Sequence, residues 1–316
     1  MAKNAAVGLK PKSKNIFVNL ARDIKKEPEM YIMILPVLIY FILFHYKPMY
    51  GVLMAFQNFS PRLGITGSEW VGFDHFVNFF NDVYFFRILK NTLIISFSSL
   101  IFGFPMPIIF ALLLNEVRNK YFGKAVQTIS YMPHFISLVV ICGMIKTFTA
   151  DNGLITQLLL KVGIDTGTML ADSKLFVPIY IISQIWQSTG WDAIIYLAAI
   201  SGIDQELYEA AEIDGAGKWK QLFNITIPSI VPTIVILLIM RVGSIMSVGS
   251  EKILLLYNPG IYETSDVIST YVFRKGLLEF SWSYSTAIGM FNSVINMLLL
   301  IFANTVSKRA TESSLW

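Results

Sequence analysis

Long uninterrupted runs of apolar residues dominate the hydrophobic and polar pattern along the chain. A helix needs about 20 mostly apolar residues to cross the hydrocarbon core of a bilayer. Six runs reach that length, and they predict helices over residues 30–56, 92–114, 128–149, 176–200, 227–250 and 286–306. Lipid offers no partner for backbone N–H and C=O groups, so helices are expected. A barrel would instead show alternating segments of about ten residues.

Composition agrees with a membrane protein. The 316 residues are 54% hydrophobic and 15% charged, whereas soluble domains carry about 25% charged residues. The mean hydropathy is +0.59. A soluble protein this apolar would expose patches that aggregate. We therefore predict an all-α integral membrane protein with six transmembrane helices.

The lysines and arginines near the span ends predict the orientation, since cytoplasmic loops are enriched in these residues. Residues 1–29 form a basic tail with seven of them, and the predicted inner loops and the C-terminal tail, residues 305–316, add more. This distribution favours both termini inside. The simplest role for the N-terminal tail is contact with anionic lipid headgroups.

The inner loop over residues 200–228 carries a helical pattern of its own. From Ile203 to Asp214 it has good helix formers, with glutamates at every third position and small residues on a second stripe. Such a helix is suited to docking against a partner surface. The alternative is a helix lying on headgroups, but that would favour basic residues on the polar face. Pro228 is expected to begin the next membrane helix.

This loop resembles the signature of permease subunits of binding-protein-dependent ABC importers, EAA-x3-G-x9-I-x-L-P. Matching residues at the family spacing are Glu209, Ala210, Ala211, Gly215, Ile225 and Pro228, and Asp214 fits the continuation. Ile227 stands where leucine is usual. Residues 70–76, 89–92 and 131–133 resemble the carbohydrate branch of the family, and most closely its permeases for complex oligosaccharides and polysaccharide fragments.

The resemblance implies the type I ABC importer permease fold, with the transmembrane domain at 88–304, preceded by a first helix and an aromatic outer segment at 30–87. It implies that the loop forms a coupling helix in a groove of a cytoplasmic ATPase. The implied partners are a second permease, two ATPase subunits and an external or periplasmic sugar-binding protein. The implied location is the bacterial cytoplasmic membrane. ATP and Mg²⁺ would bind the ATPase, so this chain is expected to hold no cofactor.

Other chemistry finds no support in the sequence. Segment 215–218 ends like a phosphate-binding loop, but Glu212 and Trp219 stand where that loop needs Gly and Ser or Thr. The three histidines match no metal-ligand spacing. We expect no catalytic residue, no metal site and no nucleic-acid partner. The rival hypothesis is an ion-gradient-driven secondary transporter. Such proteins often show internal repeats and midplane ion sites, whereas this sequence shows no repeat and no paired carboxylates in its spans.

Polar residues inside the spans are the candidates for a sugar path. Gln184, Ser188 and Trp191 share one face of the fourth predicted helix, and Asn292 and Asn296 share a face of the sixth. The alternative is that such groups form hydrogen bonds between helices. Arg241 is expected either to face the pathway or to reach the outer interface.

Overall fold

The computed structural model describes residues 23–311 and 314–316, and its regular structure is almost entirely helical. The basic residues of the predicted tail up to Arg22 lie outside the described residues. The main helices are α1 (Pro28–Phe56), α2 (Asp74–Phe80), α3 (Phe85–Asn115), α4 (Lys120–Phe135), α5 (Leu138–Phe148), α6 (Leu154–Lys161), α7 (Ser173–Ser201), α8 (Gln205–Ile213), α9 (Lys218–Gly243), α10 (Ser250–Leu256), α11 (Ile268–Phe273) and α12 (Trp282–Thr311).

Shorter elements connect these helices. Strands β1 (Gln57–Asn58) and β2 (Glu69–Trp70) form an antiparallel pair in which Gln57 faces Trp70. Single turns of helix occupy Gly64–Gly67, Met169–Ala171, Pro259–Ile261 and Tyr262–Ser265. Helical turns of π type occur at Ile42–Tyr46, Ser99–Gly103, Leu222–Thr226 and Arg274–Leu278.

The chain divides into two units, at Leu53 within α1. In the first unit α1 begins at Pro28, a favoured first helical position because proline has no N–H to satisfy. The second unit runs from Met54 to the C-terminus. At its centre lies α7, which packs against α3, α4 and α9. A buried cluster that includes Ala193, Tyr196 and Ile230 fills the space between α7, α3 and α9.

Among the described residues, four helices are long and apolar enough to cross a membrane, namely α1, α3, α9 and α12. They correspond to the first, second, fifth and sixth predicted spans. The fourth predicted span forms α7, which has 29 residues but is interrupted by polar ones such as Gln184, Gln187 and Asp192. A multi-helix membrane protein is thus supported, and the count of six spans stays a prediction.

The third predicted span, over 128–149, was wrong as a single helix. The structure places two helices there, α4 and α5, which meet at an angle of 97°. Ile136 is extended, and the Ser137 hydroxyl caps α5 by accepting from the Val140 N–H at 3.4 Å. Ser137 favours the start of a new helix over continuation of the first one, because its hydroxyl bonds to the backbone of the next helix. The hydropathy pattern contains no information about such a cap.

The fifth predicted span was also wrong at its boundaries. Helix α9 begins at Lys218, ten residues before Pro228, and ends at Gly243 rather than at Ser250. The π turn over Leu222–Thr226 lies just before Pro228. It allows the helix to continue through Pro228, which has no N–H to donate. Lys218 to Asn224 are therefore the root of the membrane helix and not a separate turn.

Candidate functional site

Helix α8 and the turn after it have well-defined ends. At its start the Asp204 carboxylate accepts from the Glu206 N–H at 3.0 Å, which satisfies one free donor of the first turn. At its end Gly215 adopts a φ of +75°. The Ala216 N–H then donates to the Ala211 carbonyl at 2.8 Å, and the Gly215 N–H to that of Glu212 at 3.0 Å. These two bonds make a Schellman motif, which needs a residue that tolerates a left-handed conformation.

One side of α8 faces the rest of the chain. The Tyr208 hydroxyl lies 2.8 Å from the Thr226 hydroxyl, which joins α8 to the π turn at the root of α9. The Gln221 side chain donates to the Ala216 carbonyl at 3.2 Å. Ala211 is half-buried on this side. The helix is therefore fixed to α9 by two side-chain hydrogen bonds at separate points.

The opposite side of α8 is open. Glu209, Ala210 and Asp214 are exposed, and so is Ile213, at 88%. A partner that covered this side would bury the apolar side chain of Ile213. We name Glu209, Ala210, Ile213 and Asp214 the outward face of α8.

The sequence-predicted coupling residues are divided by this geometry. Glu209, Ala210 and Asp214 lie on the outward face, Ala211 turns inward, and Gly215 forms the turn. Ile225 is half-buried in the π turn, and Pro228 lies on α9. Sequence reasoning missed Ile213, although its spacing of three and four residues from Ala210 and Glu209 would have placed it on their face.

A second polar feature lies between α3, α7, α9 and α10. It is a cleft of about 360 Å³ that adjoins another of about 300 Å³. Gln184, Ser188, Arg241 and Ser244 line both. We name the larger one the polar cleft.

A short relay of hydrogen bonds crosses the polar cleft. An Arg241 guanidinium N–H donates to the Ser99 hydroxyl oxygen at 3.1 Å, and Ser99 donates to the Gln184 amide oxygen at 2.9 Å. The relay joins α9, α3 and α7 and fixes the orientation of the three side chains. Of the two expectations for Arg241, the structure favours the one that turns it toward a cleft.

Three other predicted path residues lie away from both clefts. The Trp191 indole stacks on the His134 ring of α4, with ring centroids 4.4 Å apart. Asn296 accepts from the Met246 N–H and donates to the Ser247 hydroxyl, each at 2.9 Å, and so holds the turn after α9. Asn292 has a buried side-chain oxygen without a hydrogen-bond partner among the described residues. For Trp191 and Asn296 the geometry therefore fits the helix-packing alternative.

Sequence reasoning missed Lys252, which lines the polar cleft from α10. Burial lowers the pKa of its ammonium group to about 8. Lys252 stands two residues beyond the predicted end of the fifth span, so the hydropathy pattern assigned it to a loop. No signal in the sequence relates it to Gln184 or Arg241.

Two carboxylates, one buried and one half-buried, organise the segment that precedes α3 and the segment between α10 and α12. Asp266 is fully buried and pairs with Arg274 at 2.6 Å and with Arg87 at 3.6 Å. Burial alone would lower the pKa of Arg274, but the bonds to Asp266 outweigh it and raise that pKa. Asp82 accepts hydrogen bonds from the hydroxyls of Tyr271 and Tyr284. Among the described residues no group of three His, Cys, Asp or Glu side chains is placed to hold a metal ion.

Comparisons with known proteins agree with this architecture. The family described as binding-protein-dependent transport system inner membrane component matches residues 103–312. The polygalacturonan/rhamnogalacturonan transport system permease protein YteP of Bacillus subtilis (strain 168) is 42% identical over 316 residues, which cover 100% of this chain and 97% of that protein.

Two solved structures are similar over nearly the whole chain. One belongs to a bacterial ABC transporter involved in the import of the acidic polysaccharide alginate. It has a TM-score of 0.86 and 48% identity, and the match covers 93% of this chain and 99% of that one. The other shows the bacterial alginate ABC transporter in complex with a periplasmic protein that binds an alginate pentasaccharide. Its TM-score is 0.86, its identity is 47% and its coverage is the same.

Proposed function

This chain belongs to the family of binding-protein-dependent transport system inner membrane components, and from that premise we propose that it is the permease subunit of an ATP-driven oligosaccharide importer. Its role is to form part of the translocation path and to receive the motion of a cytoplasmic ATPase through α8. The ATPase binds ATP and Mg²⁺, and this chain carries out no hydrolysis itself. The proposed saccharide class is supported by the relatives, which are transporters of polygalacturonan, rhamnogalacturonan and alginate.

The single observation that carries the coupling role is the contrast between the two sides of α8. The inward side is tied to α9 through Tyr208 and Thr226. The outward face presents Ile213 and two acids, and residues 23–311 and 314–316 leave them exposed. A helix that is fixed on one side and open on the other transmits a push as a rigid body. The outward face supplies apolar area, a close approach at Ala210 and charge at Glu209 and Asp214.

The assembly that we propose contains this chain, a second permease, two ATPase subunits and an external binding protein. The binding protein is supported by the related structure in which a periplasmic protein is bound. We propose six spans, with α7 and the bent pair of α4 and α5 completing the set, and both termini on the cytoplasmic side of the bacterial cell membrane. Gln184, Ser188 and Arg241 are the predicted path residues that we retain, since they line the polar cleft.

The test of the coupling role is co-purification of the ATPase with variants of the outward face. Ile213→Asp places a charge in the contact and should remove at least nine tenths of the ATPase from the purified permease. The matched control is Ile164→Asp, since Ile164 is another exposed isoleucine and lies in a loop that we assign to the opposite side of the membrane. Full retention of the ATPase by Ile213→Asp would contradict the coupling role.

The sidedness of α8 has its own test. Cys142 is the only cysteine and is buried, so Glu209→Cys introduces a single accessible thiol. A membrane-impermeant maleimide should label that thiol in inverted vesicles but not in intact cells. Uptake by the lone chain on an ion gradient, with no ATPase present, would favour the rival secondary transporter.

A further inference from the structure

Lys252 is a buried cation without a partner. The residue is 5% exposed, and its ammonium nitrogen makes no hydrogen bond among the described residues. Its nearest aromatic group is the Tyr180 ring, whose centroid lies 5.4 Å from the nitrogen. Removing an ammonium group from water costs free energy that an ion pair or several hydrogen bonds normally offset. The described part of the chain provides neither for Lys252.

Other partly buried cations of the same unit are paired. Arg274 reaches Asp266 at 2.6 Å, and Lys275 reaches Glu279 at 2.6 Å. The fold therefore places carboxylates beside cations when their role is structural. The absence of one beside Lys252 needs a different explanation.

The polar cleft has an unbalanced charge. Lys252 and Arg241 both line it, and none of the described residues that line it is acidic, whereas Asp192 lines the adjoining cleft, which shares Arg241. The remaining polar groups are hydroxyls and amides, among them Gln184, Gln187 and Ser247. Burial lowers the pKa of the Lys252 ammonium group to about 8. The cleft thus offers two cations and a set of neutral hydrogen-bonding groups.

We propose that Lys252 and Arg241 bind the carboxylate of a uronate residue in the oligosaccharide in transit, while the amides and hydroxyls of the polar cleft bind its sugar hydroxyls. This inference rests on the proposed function and adds to it the charge of the substrate and the residues that select for it. A uronate carries a carboxylate on its ring, and a carboxylate has two oxygens that can accept hydrogen bonds from an ammonium and a guanidinium group. The carboxylate of the ligand supplies the negative charge that no described residue places beside Lys252.

The experiment uses the complete purified importer and measures its thermal unfolding without the binding protein, so that delivery plays no part. The probes are trigalacturonate and its fully methyl-esterified form, which has the same length and no charge. Millimolar trigalacturonate should raise the thermal unfolding midpoint of the wild type by several degrees, because a ligand that binds only the folded state stabilises that state. The ester should raise it by less than half as much.

Variants at Lys252 then assign the effect. In Lys252→Met the shift with trigalacturonate should fall to that of the ester, whereas Lys252→Arg should keep most of it. The matched control is Lys146→Gln, which removes an exposed lysine of α5 that does not line the polar cleft, and it should respond as the wild type does. If Lys252 only stabilised the fold, Lys252→Met would be less stable than the wild type without ligand. We expect instead that the unfolding midpoint of Lys252→Met without ligand equals or exceeds that of the wild type, since the variant lacks an unpaired buried charge.

Uptake into proteoliposomes gives the second readout. With the same binding protein in every sample, Lys252→Gln should lower trigalacturonate uptake about tenfold relative to the wild type, a loss that a variant of a neutral contact would not produce. A Lys252 variant that leaves both the thermal shift and the uptake of trigalacturonate unchanged would overturn the inference. A shift of equal size with inorganic phosphate would overturn the assignment to uronates. If the wild type imports no saccharide while ATP is hydrolysed, the proposed function itself fails.

Discussion

The hydroxyl of Tyr208 on α8 lies 2.8 Å from the hydroxyl of Thr226 at the root of α9. This bond joins the helix that we expect to meet the ATPase to the helix that lines the polar cleft. It is formed on the inward side of α8 and leaves the outward face free. Docking and transmission are therefore separable by mutation.

The first prediction concerns that separation. Tyr208→Phe keeps the ring and removes the hydroxyl, and a hydrogen bond of this kind contributes about 1 kcal/mol. We expect the ATPase still to co-purify, while the stimulation of ATP hydrolysis by the loaded binding protein falls severalfold. The control is Tyr121→Phe, at a tyrosine that is 89% exposed. Loss of the ATPase from Tyr208→Phe would contradict a role in transmission alone.

The second prediction compares two glycines of the same turn. A side-chain carbon added at Gly215 or at Gly217 would meet nothing within 4 Å, but only Gly215 has a positive φ, of +75°. An L-residue in that conformation costs roughly 1–2 kcal/mol. Gly215→Ala should therefore fray the end of α8 and reduce ATPase co-purification, whereas Gly217→Ala should not.

Asparagine refines this comparison, because it tolerates the left-handed conformation better than alanine does. Gly215→Asn should recover part of the ATPase that Gly215→Ala loses. Equal losses from Gly215→Ala and Gly217→Ala would show that flexibility, and not the left-handed turn, is what the loop needs.

The third prediction tests the contact between α4 and α7. A side-chain carbon at Gly190 would lie 2.2 Å from the Ser130 carbonyl oxygen, so the two helices would have to separate. Overpacking of this kind costs about 1–3 kcal/mol. We expect Gly190→Ala to lower the unfolding midpoint of the purified protein by several degrees.

The matched control for Gly190 is Gly289, which also lies inside a helix but has open space around it. Gly289→Ala should leave the midpoint unchanged or raise it slightly, because alanine is the better helix former by up to about 1 kcal/mol. A Gly190→Ala protein as stable as the control would mean that α4 and α7 are not in close contact.

The fourth prediction is a pH dependence at Asp82. Burial alone would raise the pKa of this carboxyl, but the hydrogen bonds from Tyr271, Tyr284 and the Tyr84 N–H outweigh it and hold the pKa below 3.8. The folded state thus binds the proton less readily than the unfolded state. The stabilisation is complete above the ordinary pKa and is lost as pH falls through the lower value.

Asp82→Asn should therefore be less stable than the wild type at pH 7, and the gap should close as the pH is lowered below about 4. The measurement is the unfolding midpoint of both proteins across that range. Asp74→Asn, which also removes a carboxylate but at an exposed position, serves as control. If the difference in unfolding midpoint between the wild type and Asp82→Asn widened toward low pH, the lowered pKa of Asp82 would be contradicted.

Several features of this protein follow from short stretches of the chain. The apolar runs predicted the helices that became α1, α3 and α12, because helix formation in lipid depends on local composition. The helix formers and the periodicity from Ile203 to Asp214 predicted the helix α8, and the Schellman turn that ends it is formed within six residues. Family membership rested on the same local spacing.

The polar cleft was decided by tertiary structure. Its lining comes from Ser99, Gln184, Arg241 and Lys252, which lie far apart in sequence and meet only when α3, α7, α9 and α10 pack together. Periodicity placed Gln184, Ser188 and Trp191 on one face of α7, but only the packing of helices shows that Gln184 and Ser188 line the polar cleft while Trp191 stacks on His134.

The two kinds of result differ for a physical reason. A helix, a cap or a turn is stabilised by hydrogen bonds between residues a few positions apart, so the sequence by itself determined where α8 begins and how it ends. A cleft is made by the distances and angles between whole helices, such as the bend of 97° between α4 and α5. Those angles depend on side-chain packing across the fold. Only the tertiary structure therefore decided that Lys252 would be buried in the lining of the polar cleft, with no hydrogen-bond partner for its ammonium group among the described residues.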